Sequence, residues 1–263
     1  MVDLDYSFFM NTLKGLILTI AFLVVAKLFF VEAYNIPSKS MEPTLLQGDF
    51  ILTNRLVYLF SNPRRGDIVI FEYPYPSQFG NKLLKVVFVK RVVGLPGDVI
   101  AFHNGFLSLN GNPLKYKKVK ETPTEVYYEE TIPRKDGEVK HLIKFSKNPP
   151  LPALLGRLGV LKDALPPSAC LEASPINPQI CSVIKVPQGY YFVMGDNRDN
   201  SEDGRYWGFL KRDKILSTPF VIYFSGEVPH LSPEQATPLS GITQLIHALF
   251  HPRFDRIGKP LIY

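Results

Sequence analysis

The run Lys85-Val86-Val87-Phe88-Val89-Lys90-Arg91-Val92-Val93-Gly94-Leu95-Pro96-Gly97-Asp98 decides how the rest of the chain is read. It is dense in β-branched residues and closes on Gly, Pro and Asp turn chemistry, which predicts a strand. Period-two alternation puts Lys90 on one face with Phe88 and Val92, and Arg91 on the other with Val89 and Val93. An ammonium among such neighbours is disfavoured by lost hydration. Lowering a lysine from about 10.4 to roughly 8 corresponds to about 3 kcal/mol, which the rest of the fold must supply. Outward from this run the pattern repeats at Asp49 to Thr53, Asp67 to Tyr73, Asp98 to Phe102 and Lys214 to Ser225, with hairpin signals at Asn104-Gly105 and Asn110-Gly111. No βαβ unit is visible, and Gly94-Leu95-Pro96-Gly97 lacks the spacing of a phosphate loop. The expected fold is mainly β.

Upstream lies Asn35-Ile36-Pro37-Ser38-Lys39-Ser40-Met41-Glu42-Pro43-Thr44-Leu45. Two serines bracketed by prolines predict a fixed, non-helical turn that presents a hydroxyl. A serine nucleophile needs a base. His103, His141, His230, His247 and His251 are scattered and belong to no pattern, which leaves the Ser-Lys variant, with Lys90 as the base. From residue types alone, an ordinary polar turn and a strand-end charge remain the competing reading.

Residues Phe8 to Val31 are nearly all apolar, interrupted by Lys14 and Lys27. The uninterrupted part spans about 18 Å, short of a bilayer core of roughly 30 Å, so a spanning helix over about 13–31 requires both lysines to snorkel. A cleaved signal peptide ending at Val31-Glu32-Ala33 is the rival reading; the acidic Asp3 and Asp5 before the apolar run favour an uncleaved anchor. Residues 34–105 and 186–226 are expected to form the β core, 106–185 an inserted β-rich and irregular region with a short helix within Leu154 to Leu165, and 227–263 a tail. In that tail Leu239, Ile242, Leu245, Ile246, Leu249 and Phe250 recur at helical spacing before Pro252. The helix is expected to pack on its own domain, with a position on the membrane surface as the alternative. At 263 residues, 46% hydrophobic and 13% aromatic, the chain is long and apolar enough for a sizeable core. The net charge of +6 is dispersed. Lys115, Lys117, Lys118 and Lys120 are followed by Glu121, Glu125, Glu129 and Glu130, which reads as a solvated surface; no nucleic-acid partner is expected.

Four stretches in order carry a resemblance: Ile36 to Leu45; Arg65-Gly66-Asp67-Ile68-Val69-Ile70-Phe71; Lys90 to Asp98; and Gly195-Asp196-Asn197-Arg198-Asp199-Asn200-Ser201-Glu202-Asp203-Gly204-Arg205-Tyr206-Trp207-Gly208. Together they resemble the signature boxes of bacterial type I signal peptidase. The resemblance implies a serine endopeptidase without metal or cofactor, with Ser40 as nucleophile, Lys90 as base and Ser38 sharing an oxyanion hole with the Ser40 N–H. It further implies that Ser201 orients the lysine, that Asp203 and Arg205 form a supporting ion pair, and that Tyr34, Ile36, Pro37, Leu45, Phe88 and Val89 line shallow substrate pockets. The implied substrates are signal peptides of exported preproteins, cut after an A-x-A pattern. The implied setting is a single-pass protein of the bacterial cytoplasmic membrane, monomeric, bound to the lipid bilayer, with its catalytic domain on the outer face. In that oxidising compartment Cys170 and Cys181 are either a disulfide or two free thiols. A self-cleaving repressor lacks support because an apolar run stands where a DNA-binding domain would be; a mitochondrial inner-membrane peptidase is disfavoured by the long inserted region. A membrane-tethered β-domain that binds partners without chemistry is the remaining alternative.

Overall fold

The computed structural model describes residues 8–20, 31–76, 83–228 and 238–261. Residues 8–20 are helical, and the remainder of the expected anchor up to residue 30 lies outside the described residues. Among the described residues no helix is long and apolar enough to cross a membrane.

In chain order the first strands are β1 (Val31–Asn35), β2 (Asp49–Asn54), β3 (Ile68–Pro76), β4 (Leu83–Gly94), β5 (Val99–His103), β6 (Phe106–Leu109) and the two-residue β7 (Asn112–Pro113). The inserted strands β8 (Lys115–Glu121), β9 (Glu125–Arg134) and β10 (Gly137–Ser146) form an antiparallel sheet of their own. There follow β11 (Val160–Leu161), β12 (Cys170–Ala173), β13 (Ile180–Lys185), β14 (Tyr190–Met194), β15 (Leu210–Lys211) and β16 (Ile215–Ser225). The larger sheet has the order β1-β2-β16-β3-β4-β14-β15, and a smaller sheet runs β11-β13-β5-β6-β7 with β12 added to β13.

The decisive strand behaves as its alternation requires. Phe88, its cross-strand partner Phe71, Val92, and Val69 opposite Lys90 contribute to one apolar cluster, with Tyr191, Val193 and Ile215. Val89, from the opposite face, packs against a second cluster built on Ile36, Met41, Leu45 and Ile51. Both hairpin signals close as two-residue turns, with Asn104 and Asn110 at φ 52° and each followed by a positive-φ glycine. Because β6 returns directly onto β5 and β13 pairs with β5, the smaller sheet straddles the boundary expected at 105/106. Only the sheet β8-β9-β10 stands apart.

The short helix is Leu151–Leu158, starting earlier than expected because Pro150 and Pro152 suit its first turn and Gly159, at φ 150°, ends it. The tail helix is Pro238–Phe250. Its packing departs from expectation. Among the described side chains of the helix only the small Ala248 is buried, over Gly226, while Ile242, Ile246, Leu249 and Phe250 face outward, Phe250 at 78% exposure. The side chains of Leu239 and Leu245 lie outside the described residues. Among the described residues, helix and domain meet where Ala248 lies against Gly226.

Cys170 and Cys181 are disulfide-bonded across eleven positions, tying β12 to β13. Replacing both with serine is expected to lower stability by roughly 2 to 3 kcal/mol through the freed chain entropy of the unfolded state, measured as a fall in denaturant midpoint at unchanged slope.

Candidate active site

Strand β4 delivers Lys90 to a buried position, 2% exposed, with its Nζ 2.6 Å from Ser40 Oγ and 5.7 Å from the centroid of the Phe88 ring. Burial lowers the lysine to about 8; the charges of Asp203 and Glu202 pull it part of the way back and Arg205 pushes it down. The Ser38 hydroxyl lies 3.2 Å from Ser40 Oγ. These groups, with Lys39, Phe88, Asn200 and Glu202, line one cavity of about 390 Å³. Another cavity of about 360 Å³, between Asn54, Arg64 and Phe220, holds none of the candidate residues.

The serine turn is held from behind by the charged box. Asn197 N–H donates to Ser40 O at 3.0 Å and its side-chain amide donates to Lys39 O at 3.1 Å. The Thr44 hydroxyl donates to Asp196, and Arg91 grips Asp196 with Nε at 2.8 Å and Nη2 at 2.7 Å while Nη1 donates to Gly66 O. Asp203 accepts from Arg205 Nε at 2.8 Å and Nη2 at 2.9 Å, and from Gly195 N–H at 2.9 Å. Its carboxyl is held below the usual range by Arg205 and these hydrogen bonds, against the opposing effect of burial. Asp203 also caps the turn Gly204–Trp207 that carries Arg205.

Ser201 departs from its implied part. Its Oγ is buried and has no hydrogen-bond partner among the described residues; the amine bonds Ser40 instead. Of the six implied pocket residues only Phe88 borders the cavity. Ile36 and Leu45 are core residues, Leu45 at 0% exposure, with Tyr34 and Val89 packed against the same cluster, and Pro37 is partly buried on the serine turn. These apolar side chains form a floor under the turn.

Sequence reasoning missed the contribution of the inserted sheet. Glu130 is fully buried and accepts from Arg198 Nη2 at 2.6 Å, so the acidic run is not all solvated surface, although Lys115, Lys117, Lys118 and Lys120 are exposed. His141 lies 3.1 Å from Glu130, and Lys144 backbone N–H donates to Asp196 O at 2.9 Å. The signal available in the sequence was the box itself: its acids, Asp196, Asp199, Glu202 and Asp203, outnumber its arginines, Arg198 and Arg205, so some must be paired from elsewhere.

The arrangement can perform acyl transfer, because a hydroxyl, a lysine that releases its proton near pH 8 and a second hydroxyl converge at one exposed mouth. The family model described as "Signal peptidase, peptidase S26" matches residues 9–224. The chain belongs to this family of serine endopeptidases. Among its relatives, the Signal peptidase I of Aquifex aeolicus is 42% identical over 260 residues, 92% of this chain and 96% of that one. The Signal peptidase I of Pseudomonas fluorescens is 32% identical over 232 residues, 80% of this chain and 70% of that one. A crystal structure of a signal peptidase I from Enterococcus faecalis covers 60% of this chain and 97% of that chain at 24% identity, with a TM-score of 0.28, an overlap too slight to bear on the fold.

Two outcomes follow from the geometry. In the native state Lys90 releases its proton near pH 8 and in the unfolded chain near 10.5, so between those values the unfolded state binds more protons and stability rises with pH. Lys90→Met is therefore expected to be more stable than the parent at pH 7 by up to about 3 kcal/mol, the advantage vanishing above roughly pH 10.5, as read from denaturant unfolding across pH. Gly195→Ala is expected to inactivate the protein, as read from cleavage assays of the folded variant, because a Cβ at 195 would stand 2.2 Å from Ser201 Oγ and 2.4 Å from Ser40 O.

Proposed function

We propose that this chain is a membrane-anchored endopeptidase that removes signal peptides from exported preproteins after small residues, using Ser40 as nucleophile and Lys90 as general base. The observation that carries the reading is the 2.6 Å contact between Ser40 Oγ and an amine that burial lowers to about 8. A partner-binding domain without chemistry has no use for a lysine desolvated at such cost.

In the reaction, neutral Lys90 Nζ accepts the Ser40 proton as Oγ attacks the carbonyl carbon before the cut. The oxyanion takes hydrogen bonds from the Ser40 N–H and the Ser38 hydroxyl, one such donor being worth about 2.7 to 4 kcal/mol. The Lys90 ammonium, for which the unpartnered Ser201 Oγ is an available acceptor, then protonates the leaving amine. Water, activated by the same amine, hydrolyses the ester and frees Ser40. The substrate lies extended along β4, because among the described residues β14 covers that edge only from Arg91 to Gly94, leaving Leu83 to Lys90 open opposite β3. Phe88 beside the dyad restricts the residue before the cut to small side chains.

The apolar helix at 8–20 and the outward face of Pro238–Phe250 support a place at the bilayer, where a single N-terminal span would leave the catalytic sheets on the outer face of the bacterial cytoplasmic membrane.

With a preprotein substrate, kcat/KM is expected to rise with pH through an apparent pKa near 8, since the unprotonated amine is the active form; a flat profile up to about pH 10 would remove Lys90 from the role of base. Ser40→Ala and Lys90→Ala each abolish cleavage, and the double variant loses little more than either, because the pair acts as a unit. Additive losses would point to a different nucleophile.

A further inference from the structure

Beside the cavity that holds Ser40 and Lys90 lies another of about 350 Å³, and Lys39 and Asn200 line both. The remaining wall combines Glu42 of the serine turn with Glu125, Lys144 and Ser146 of the inserted sheet. This wall is ordered by its own bonds. Lys144, 6% exposed, donates from Nζ to Glu42 Oε2 at 2.8 Å and to Glu125 Oε1 at 2.7 Å, and the Tyr127 hydroxyl donates to Glu125 Oε2 at 2.6 Å. It is also coupled in position to the nucleophile, since Asn197, another wall residue, holds both Lys39 O and Ser40 O.

The two cavities differ in lining: Phe88 borders the one that holds the dyad, whereas the second is walled by Glu42, Glu125, Asp199, Lys144, Asn197 and Asn200 with only Pro150 apolar. The residues before the cut in a signal peptide are small and apolar and occupy the Phe88 side. Lys39 and Asn200, which both cavities share, mark where a chain continuing past Ser40 would pass into the second. Resting on the function proposed above, we infer that the polar cavity is the subsite for the first residues of the released protein, just beyond the cut bond, and that it takes polar side chains that donate a hydrogen bond and rejects bulky apolar ones. The selectivity has a direct physical cause. A carboxylate offers about four lone-pair sites, and Lys144 and Tyr127 engage one on Glu42 and two on Glu125, so the rest must be satisfied by solvent or by a bound donor. A hydrogen-bond donor replaces that water like for like, whereas an apolar side chain displaces it and returns nothing. The inserted sheet thereby acquires a second task besides bracing the charged box.

Three peptides test this with the full-length protein in detergent. They share the sequence up to the cut; beyond it one continues Ser-Gln, one Leu-Leu, and one ends in an amide after a single residue. The wild-type protein is expected to favour Ser-Gln over Leu-Leu by about tenfold in kcat/KM. Glu125→Ala, on the inserted sheet, is expected to shrink that ratio below about threefold, and Glu125→Leu to shrink it further or reverse it, since one charged acceptor has been removed. Thermal melts establish that each variant is folded; if one is not, the other and the wild-type ratio still decide. Equal kcat/KM for Ser-Gln and Leu-Leu in the wild type, or an unchanged ratio in a folded Glu125 variant, would overturn the inference. Failure to cut any of the three peptides, the amide included, would instead refute the underlying peptidase reading.

Discussion

The structure depends on a lysine kept out of water against a serine. Taking Lys90 from about 10.5 to about 8 corresponds to about 3 kcal/mol of unfavourable burial, a sizeable fraction of the stability of an ordinary domain. Burial alone would push the amine lower still. The negative charges of Asp203 and Glu202 counter it, and Asp203 keeps its charge because Arg205 and the Gly195 N–H hold it. The result is an amine basic enough to accept a serine proton and neutral often enough to be available near pH 8. Desolvation sets the direction of the shift, and the surrounding ion pair sets where it stops.

The serine is fixed by a different mechanism. Its turn is short, carries two prolines and contributes few internal hydrogen bonds, so its backbone carbonyls are satisfied from outside by Asn197. Asn197 in turn belongs to a box pinned by Arg91, Arg198, Glu130 and the Lys144 backbone. Buried ion pairs of this kind are poor sources of stability, since desolvation consumes most of their attraction, but they tolerate few alternative geometries. The inserted sheet is therefore a back wall of the site rather than an appendage to it, and its removal would expose unpaired charge under the Ser40 turn.

The strands, both hairpin turns and the Ser40 and Lys90 positions were legible because each rests on a local rule: period-two alternation, Asn-Gly turns and proline-bracketed serines. What was not legible depends on partners far apart in the chain. Glu130 reads as surface charge on an inserted strand because nothing near it in sequence announces Arg198, 68 positions away. The expected edge of the insertion at 105/106 conflicted with the adjacent Asn-Gly signal, which demands that β5 and β6 pair. In the tail, periodicity correctly gave a helix at Pro238–Phe250, but it carries no information on which face is covered, and among the described side chains Ala248 lies against Gly226 while the apolar stripe faces outward.

Lys90 and Arg91 are consecutive basic residues on one strand, and alternation sends them to opposite faces with duties that cannot be exchanged. An arginine at 90 would remain charged at any physiological pH, so burial there would cost stability without ever yielding a base. A lysine at 91 offers a single ammonium where the structure uses a planar fork: two parallel bonds to Asp196 and a third to Gly66 O, all fully buried. It would also be free to lose its proton on burial, leaving Asp196 unpaired beneath the serine turn. The strand thus places the basic group whose charge can be switched off toward Ser40, and the one whose charge cannot toward the scaffold.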